Sequence, residues 1–362
     1  MSQPLEPGRF FLPGPTEVHP EVLQAQNGPM IGHRGKAIVD LLSSIEEGLK
    51  PVFQTARPVI VSASSATGLM EAGIRNGVLD GKVLSLITGA FSKRFADIAT
   101  SCGFEVDRWE VEWGTVHDPE EVAARLAGDK YEAVTLSQSE TSTGSLHDLE
   151  AMARVVNEHE DTLLLVDSVT GIGGVETLTD EWGIDYILTG SQKALALPPG
   201  LAFAAANDAI LERSAKAPAK GWYFDLAMLY EGISANQTPA TPAVSLLYAL
   251  DLQLKRINAE TIEARWKRHL AMQQRTFDWV DEMREKGMDV AIFAQEGHRS
   301  PTVTTISTDR STEIVAKMFA RGWVIGGGYG KLKDSTIRIG HMGDHTVDEL
   351  DELLDVLADV MT

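Results

Sequence analysis

Gly190-Ser191-Gln192-Lys193-Ala194-Leu195-Ala196-Leu197-Pro198-Pro199-Gly200 is the stretch on which the fold turns. It places a lysine in a turn of small residues. Upstream, the apolar run Leu163-Leu164-Leu165-Val166 ends in Asp167-Ser168. A carboxylate at the end of a buried strand, followed by a lysine in a small-residue turn, suits pyridoxal 5'-phosphate chemistry. The lysine forms a Schiff base with the cofactor aldehyde, and the carboxylate pairs with the pyridinium nitrogen and keeps it protonated. Taken singly, a lysine and an aspartate are more often a surface cation and a strand-end anion. The reading therefore rests on what surrounds them.

From about residue 58 to 207, short apolar runs alternate with amphipathic segments. The runs are Pro58–Ser62, Val83–Ile87, Ala133–Leu136, Thr162–Val166, Tyr186–Leu188 and Leu201–Ala206. Helical patterns such as Leu149–Glu158, and Met70, Ile74 and Val78, lie between them. This alternation predicts an α/β fold with a mostly parallel sheet flanked by helices. Ligands of such sheets bind beyond the carboxyl ends of strands, where Asp167 falls. After about residue 255 a long polar helix pattern covers Ala259–Lys286. A strand at Thr302–Ile306, a helix at Thr312–Arg321, a glycine turn at Gly326–Gly328, a strand at Thr336–Ile339 and a helix at Thr346–Met361 follow. The expected organisation is an N-terminal segment (1–15), a large cofactor-binding domain (16–254) and a small C-terminal α+β domain (255–362).

Composition narrows the class. The chain has 362 residues, 43% of them hydrophobic, enough for two cores. A net charge of -20 repels nucleic acid and anionic membrane surfaces. One cysteine, Cys102, excludes an internal disulfide framework and fits a reducing compartment. No apolar run approaches a membrane span, and neither a signal peptide nor a peroxisomal address is visible, so a cytoplasmic location is expected.

Two further strand ends offer cofactor contacts. Ser62-Ala63-Ser64-Ser65-Ala66-Thr67-Gly68 follows one strand and opens a helix, so backbone N–H groups and the helix dipole could meet a phosphate. An ordinary capped helix start reads the same way. Phe91, after the next strand, could stack on a flat ring or simply fill the core. In Glu140-Thr141-Ser142-Thr143-Gly144, the hydroxyls of Thr141 and Ser142 could reach the cofactor's phenolic oxygen. Gln192 is another neutral donor for the phosphate.

In their order along the chain, these pieces resemble the class V aminotransferases of fold-type I pyridoxal-phosphate enzymes, and most of all their alanine–glyoxylate and serine–pyruvate/glyoxylate branch. The likeness also takes in Leu12-Pro13-Gly14-Pro15-Thr16, Met30–Gly35, Thr238-Pro239-Ala240-Thr241-Pro242, Ser300–Val303 and Arg338-Ile339-Gly340. It implies ping-pong transamination between alanine or serine and glyoxylate or pyruvate. It implies that Lys193 carries the cofactor and moves the proton. Asp167 would pair with the ring nitrogen, while Val169 and Phe91 cover its two faces. Ser65, Ala66, Thr67 and Gln192 would hold the phosphate. Arg338 would clamp the substrate α-carboxylate, with Gly14 beside it. Thr238 and Thr241 match a segment that reaches a partner's site, which implies a homodimer with shared sites. Ala66 replaces a glycine common in relatives, and Ser137-Gln138-Ser139 replaces a His-Gly, so the rim differs.

Other residues leave alternatives open. His33-Arg34 matches a pair that binds the distal phosphate in phosphoserine aminotransferases, which makes a phosphoserine/2-oxoglutarate enzyme the second reading. A desulfurase-like lyase is less favoured, because Cys102 lies far in sequence from the site loops. His341 and His345 have metal-like spacing but no third ligand, so no metal is expected.

Overall fold

The computed structural model describes residues 9–218 and 220–361. The beginning of the expected N-terminal segment, residues 1–8, lies outside the described residues. The strands, in chain order, are β1 (Arg9–Phe11), β2 (Ile60–Ser62), β3 (Val83–Ile87), β4 (Val106–Glu110), β5 (Ala133–Ser137), β6 (Ser139–Glu140), β7 (Ser145–Leu146), β8 (Leu163–Asp167), β9 (Tyr186–Gly190), β10 (Ala202–Ala206), β11 (Ala291–Ile292), β12 (Thr304–Ser307), β13 (Trp323–Gly327) and β14 (Thr336–Ile339). The helices are α1 (Pro20–Ala25), α2 (Lys36–Phe53), α3 (Ala66–Gly77), α4 (Ala90–Ser101), α5 (Pro119–Gly128), α6 (Leu149–Asn157), α7 (Asp208–Lys216), α8 (Leu226–Ser234), α9 (Val244–Glu260), α10 (Ile262–Glu285), α11 (Ser311–Ala320) and α12 (Val347–Met361).

The apolar runs form one seven-stranded sheet, ordered β2-β10-β9-β8-β5-β3-β4. Its pairs are parallel except those of β10, which runs antiparallel to both β2 and β9. Strands β2, β3, β5, β8, β9 and β10 are buried along their whole length, as expected of a sheet with helices on both faces. The edge strand β4 is half exposed and mixes charged with apolar residues. Register sets the site: Ser137 pairs with Asp167, and Asp167 with Leu188, all at the carboxyl edge.

A second sheet, ordered β1-β13-β14-β12-β11, packs on α10, α11 and α12 over a core that includes Phe11, Trp279, Ile306, Ile337 and Leu353. Residues 9–11 therefore belong structurally with the C-terminal sheet, paired in parallel with Trp323–Ile325. The long polar helix starts at Ile262, because Thr261 takes φ 70° and breaks it from α9. The glycine turn expected at 326–328 is corrected. Gly326 and Gly327 end β13, paired with Arg338 and Ile337. A Cβ on Gly326 would lie 2.9 Å from Pro13 Cδ, so close packing rather than a turn requires glycine there. No described helix is long and apolar enough to cross a membrane.

Candidate active site

At the carboxyl edge of the large sheet a cavity of about 390 Å³ is lined by Gly14, Ser65, Ala66, Thr67, Phe91, Thr141, Asp167, Val169, Gln192 and Lys193, together with Arg94 and Tyr329. Residues from seven separate stretches of chain meet here, five from the carboxyl edge of the large sheet and two, at Gly14 and Tyr329, from loops that follow strands of the second sheet. A larger cavity of about 560 Å³, between α6 and α10, is walled by residues such as Leu149, Trp182 and Trp266 and holds no comparable chemistry.

Asp167 ends β8. One carboxylate oxygen accepts from the Ser137 hydroxyl at 2.9 Å and the other from the Val169 N–H at 2.9 Å. Burial raises its pKa to about 6, against the lowering effect of those two donors. Lys193 Nζ donates to the Pro13 carbonyl. Burial, then the charge of Arg338, lowers its pKa to about 8, with Asp167 opposing. A buried acid raised and a buried base lowered, in one cavity, mark a functional site. Gly14 has φ +109°, and a Cβ there would sit 2.5 Å from Lys193 Nζ, so only glycine lets the amine lie against this loop.

The chain and its fold find counterparts among known proteins. A profile described as aminotransferase class-V matches residues 19–321. The chain belongs to the class V aminotransferase family. It is 39% identical to an aminotransferase of Methanocaldococcus jannaschii over 92% of this chain and 87% of the other. It is 31% identical to the serine–glyoxylate aminotransferase of Arabidopsis thaliana, covering 98% and 90%. The crystal structure of an alanine–glyoxylate aminotransferase from Nostoc sp. superposes with a TM-score of 0.92 at 31% identity, covering 100% and 98% of the two chains.

Aminotransferases of class V use pyridoxal 5'-phosphate, and the cavity fits that group. Ser65 caps α3 in an extended conformation without using its side chain on the helix. The first N–H groups of α3, at Ala66 and Thr67, are therefore not covered by their own cap and face the cavity with the helix dipole behind them. Gln192 lies beside them: a Cβ on Gly190 would be 2.9 Å from Gln192 Oε1 and 3.4 Å from Ala66 Cβ. Among the described residues no cation pairs directly with the buried carboxylate of Asp167, and a protonated ring nitrogen would supply one. The donor set thus suits a flat ring with an anion at one end and a basic nitrogen at the other.

This aminotransferase places the remaining expected residues as follows. Arg338 projects from β14, with Nε donating to the Gly327 carbonyl at 2.8 Å and Nη1 to the Thr141 carbonyl at 3.2 Å. Thr141 lines the cavity, its hydroxyl 2.7 Å from that of Thr170. Ser142 is not among the lining residues: its hydroxyl donates to Glu140 at 2.6 Å and accepts from the Ala90 N–H at the start of α4. His33, Arg34, Thr238, Thr241 and Arg338 are not among the residues lining the cavity of their own chain, though Arg338 reaches two residues of its wall, Thr141 and Tyr329. Arg34 instead spends its fork on the carbonyls of Thr238 at 2.6 Å and Pro239 at 3.1 Å. His341 and His345 also separate, one bonded to the Thr304 hydroxyl and the other to the Phe10 carbonyl. Among the described residues no group of three or more potential ligands could hold a metal ion.

Three features escaped the sequence reading. Arg94 and Tyr329 stand in the cavity wall, joined by a 3.3 Å hydrogen bond across 235 residues of chain. Glu140 caps α4 from outside the helix, accepting from the N–H groups of Phe91 and Ser92 at 3.1 and 2.9 Å and from the Ser92 hydroxyl at 2.8 Å. The turn after Lys193 is pinned from below: buried Arg265 donates to the Ala194 carbonyl and to Asp344, both at 2.8 Å, and Gln253 donates to the Leu195 carbonyl at 3.0 Å. A capping signal of Asp/Glu near α4 could have revealed Glu140, but it lies 48 residues away in sequence.

Proposed function

We propose that this aminotransferase moves an amino group from alanine or serine to glyoxylate or pyruvate. The observation that carries this is the pairing of Lys193 and Asp167 across one cavity, whose wall also includes Gly14, Phe91 and Tyr329. When bound, pyridoxal 5'-phosphate acts as the electron sink that stabilises negative charge at the substrate's Cα. Asp167 Oδ1 and Oδ2, fixed by Val169 and Ser137, would hold the positive charge of the ring nitrogen. The α3 N-terminus and Gln192 would bind the phosphate. Lys193 Nζ, with a pKa of about 8, exists in both protonation states near neutrality, so it accepts the Cα proton and gives it back on the far side of the reaction. Arg338 orients the α-carboxylate and thereby decides which Cα bond stands across the ring.

The same proposal includes a homodimer. Met30, Trp222 and Tyr223 are exposed at 73, 61 and 47%, and Trp222 and Tyr223 line a groove with Thr238 and Thr241. Such a patch fits a second copy, whose cavity Thr238 and Thr241 would complete. Against a phosphoserine enzyme, Arg34 is already bonded to two backbone carbonyls in its own chain. The deciding experiment offers the purified holoenzyme a panel of amino acids and follows the change in its visible spectrum. Alanine or serine should drive it, with glyoxylate or pyruvate reversing it. Phosphoserine with 2-oxoglutarate running far ahead of both would overturn the assignment.

A further inference from the structure

The cavity contains a strong cation that the transamination steps above leave unused. Arg94 stands in the second turn of α4 and lines the cavity with Phe91 and Tyr329. Its guanidinium carbon lies 4.9 Å from the Phe91 ring centroid. Its Nη2 donates to the Tyr329 hydroxyl at 3.3 Å. Among the described residues no carboxylate lies within 4.0 Å of it. Two cations nearby in sequence and sheet differ: Lys93 reaches Asp97 at 3.3 Å, and Arg108 reaches the same carboxylate at 2.7 Å. The buried carboxylate nearby, Glu140, already takes its donors from the first turn of α4 and from Ser142.

Phe91 and Tyr329 stack with centroids 5.2 Å apart, and Arg338 lies 5.6 Å from the Tyr329 centroid. Arg94 and Arg338 therefore flank one aromatic pair, and both press on the charge of Lys193. A monocarboxylate substrate uses the Arg338 fork alone. Arg94 has donors to spare, since guanidinium carries five N–H groups and Tyr329 uses one. The Tyr329 hydroxyl accepts from Arg94, which leaves its own hydrogen to donate. A planar fork plus a hydroxyl is a carboxylate receptor.

We infer that Arg94 and the Tyr329 hydroxyl form a second carboxylate site, which receives the distal carboxylate of short dicarboxylic amino acids and oxo acids. The inference extends the transamination reading and rests on it, because Arg338 must hold the first carboxylate. A plain packing role, with Arg94 lying over Phe91 as a cover, makes the opposite forecast: it gives no preference for a second carboxylate.

Succinate and propionate separate the two. They differ by one distal carboxylate, and neither has an amino or oxo group, so neither reacts. The purified full-length holoenzyme should bind succinate about tenfold more tightly than propionate, as a charge-assisted pair in a half-buried site allows. The ratio should fall to about one in Arg94→Gln, keep part of its value in Arg94→Lys, and drop by an intermediate amount in Tyr329→Phe, which removes only the hydroxyl. Calorimetry or the ligand-induced change in cofactor absorbance reads each constant. A wild-type ratio near one, failure of either acid to bind, or a ratio unchanged in Arg94→Gln overturns the second site. Exchange between alanine and glyoxylate, run on the same wild-type sample, tests the transamination reading separately, so the two can fail independently.

Discussion

The chemistry rests on two buried groups held away from their usual charge states. Folding raises the Asp167 pKa from 3.8 to about 6, so in the cofactor-free protein the ionised form is disfavoured. Below about pH 4 the carboxyl is protonated in both folded and unfolded chains and costs nothing. Its stability cost therefore grows as pH rises from about 4 to about 6 and reaches at most about 3 kcal/mol above that. Asp167→Asn should remove this cost. The cofactor-free variant should melt higher than wild type at pH 7 and alike at pH 4, while its gain in melting temperature on adding cofactor shrinks. Calorimetric scans at both pH values, with and without cofactor, read this; an Asn variant that melts lower at pH 7 would contradict the burial argument. Lys193 titrates in the other direction. With a pKa of about 8, about a tenth of the amine is neutral at pH 7, and only the neutral amine attacks an aldehyde. Stopped-flow mixing of cofactor with the cofactor-free protein should show a capture rate that climbs with pH and levels off above about 8. A rate still climbing steeply through pH 10 would place the lysine in an ordinary aqueous setting.

At the scale of elements, the α3 terminus offers a clean test. Ser65 already has φ -80° and ψ 160°, a conformation that tolerates a following proline, and Ala66 is the first helical residue, where proline is at home. Ala66→Pro should therefore fold with near-wild-type stability while deleting one phosphate-facing N–H. Loss of a charge-assisted bond costs about 1.5–3 kcal/mol, so affinity for pyridoxal 5'-phosphate should fall at least tenfold, and affinity for unphosphorylated pyridoxal far less. Equal losses for both would remove α3 from the phosphate site. Glu140→Gln tests the neighbouring terminus: losing the negative charge at the start of α4 should cost about 1–3 kcal/mol in denaturant unfolding, because its N–H and hydroxyl donors stay buried. The elements the sequence revealed are those buried on both faces, whose unbroken apolar runs need no context: β3, β5, β8, β9 and β10. Strand β4 went unseen because an edge strand is buried on one side only, and Arg108 and Glu110 break its run. Helix α9 went unseen, and its separation from α10 rests on the backbone of a single residue, Thr261. The site divides in the same way. Lys193, Asp167, Ala66 and Thr67 sit at strand ends and helix starts, which local sequence marks. Arg94, Tyr329 and Arg265 become site residues only when two sheets meet, and no local pattern records that meeting.

The molecule as a whole joins a cofactor-binding sheet to a second sheet that contributes Arg338 and Tyr329, and both the N-terminal strand β1 and the loop carrying Gly14 tie the two together. In the proposed dimer, Trp222 lies under a second copy. Trp222→Glu should shift sedimentation toward monomer and loosen the cofactor, since Thr238 and Thr241 would no longer reach a partner's cavity; a variant that stays dimeric with unchanged cofactor affinity would move the interface elsewhere. The central claim is that Lys193 is the residue to which the cofactor is attached. The most direct measurement is borohydride reduction of the yellow holoenzyme, followed by proteolysis and mass mapping. The account predicts one pyridoxyl adduct, on the peptide containing Lys193, and none on Lys193→Ala. An adduct on any other lysine, or labelling that survives in Lys193→Ala, would contradict it.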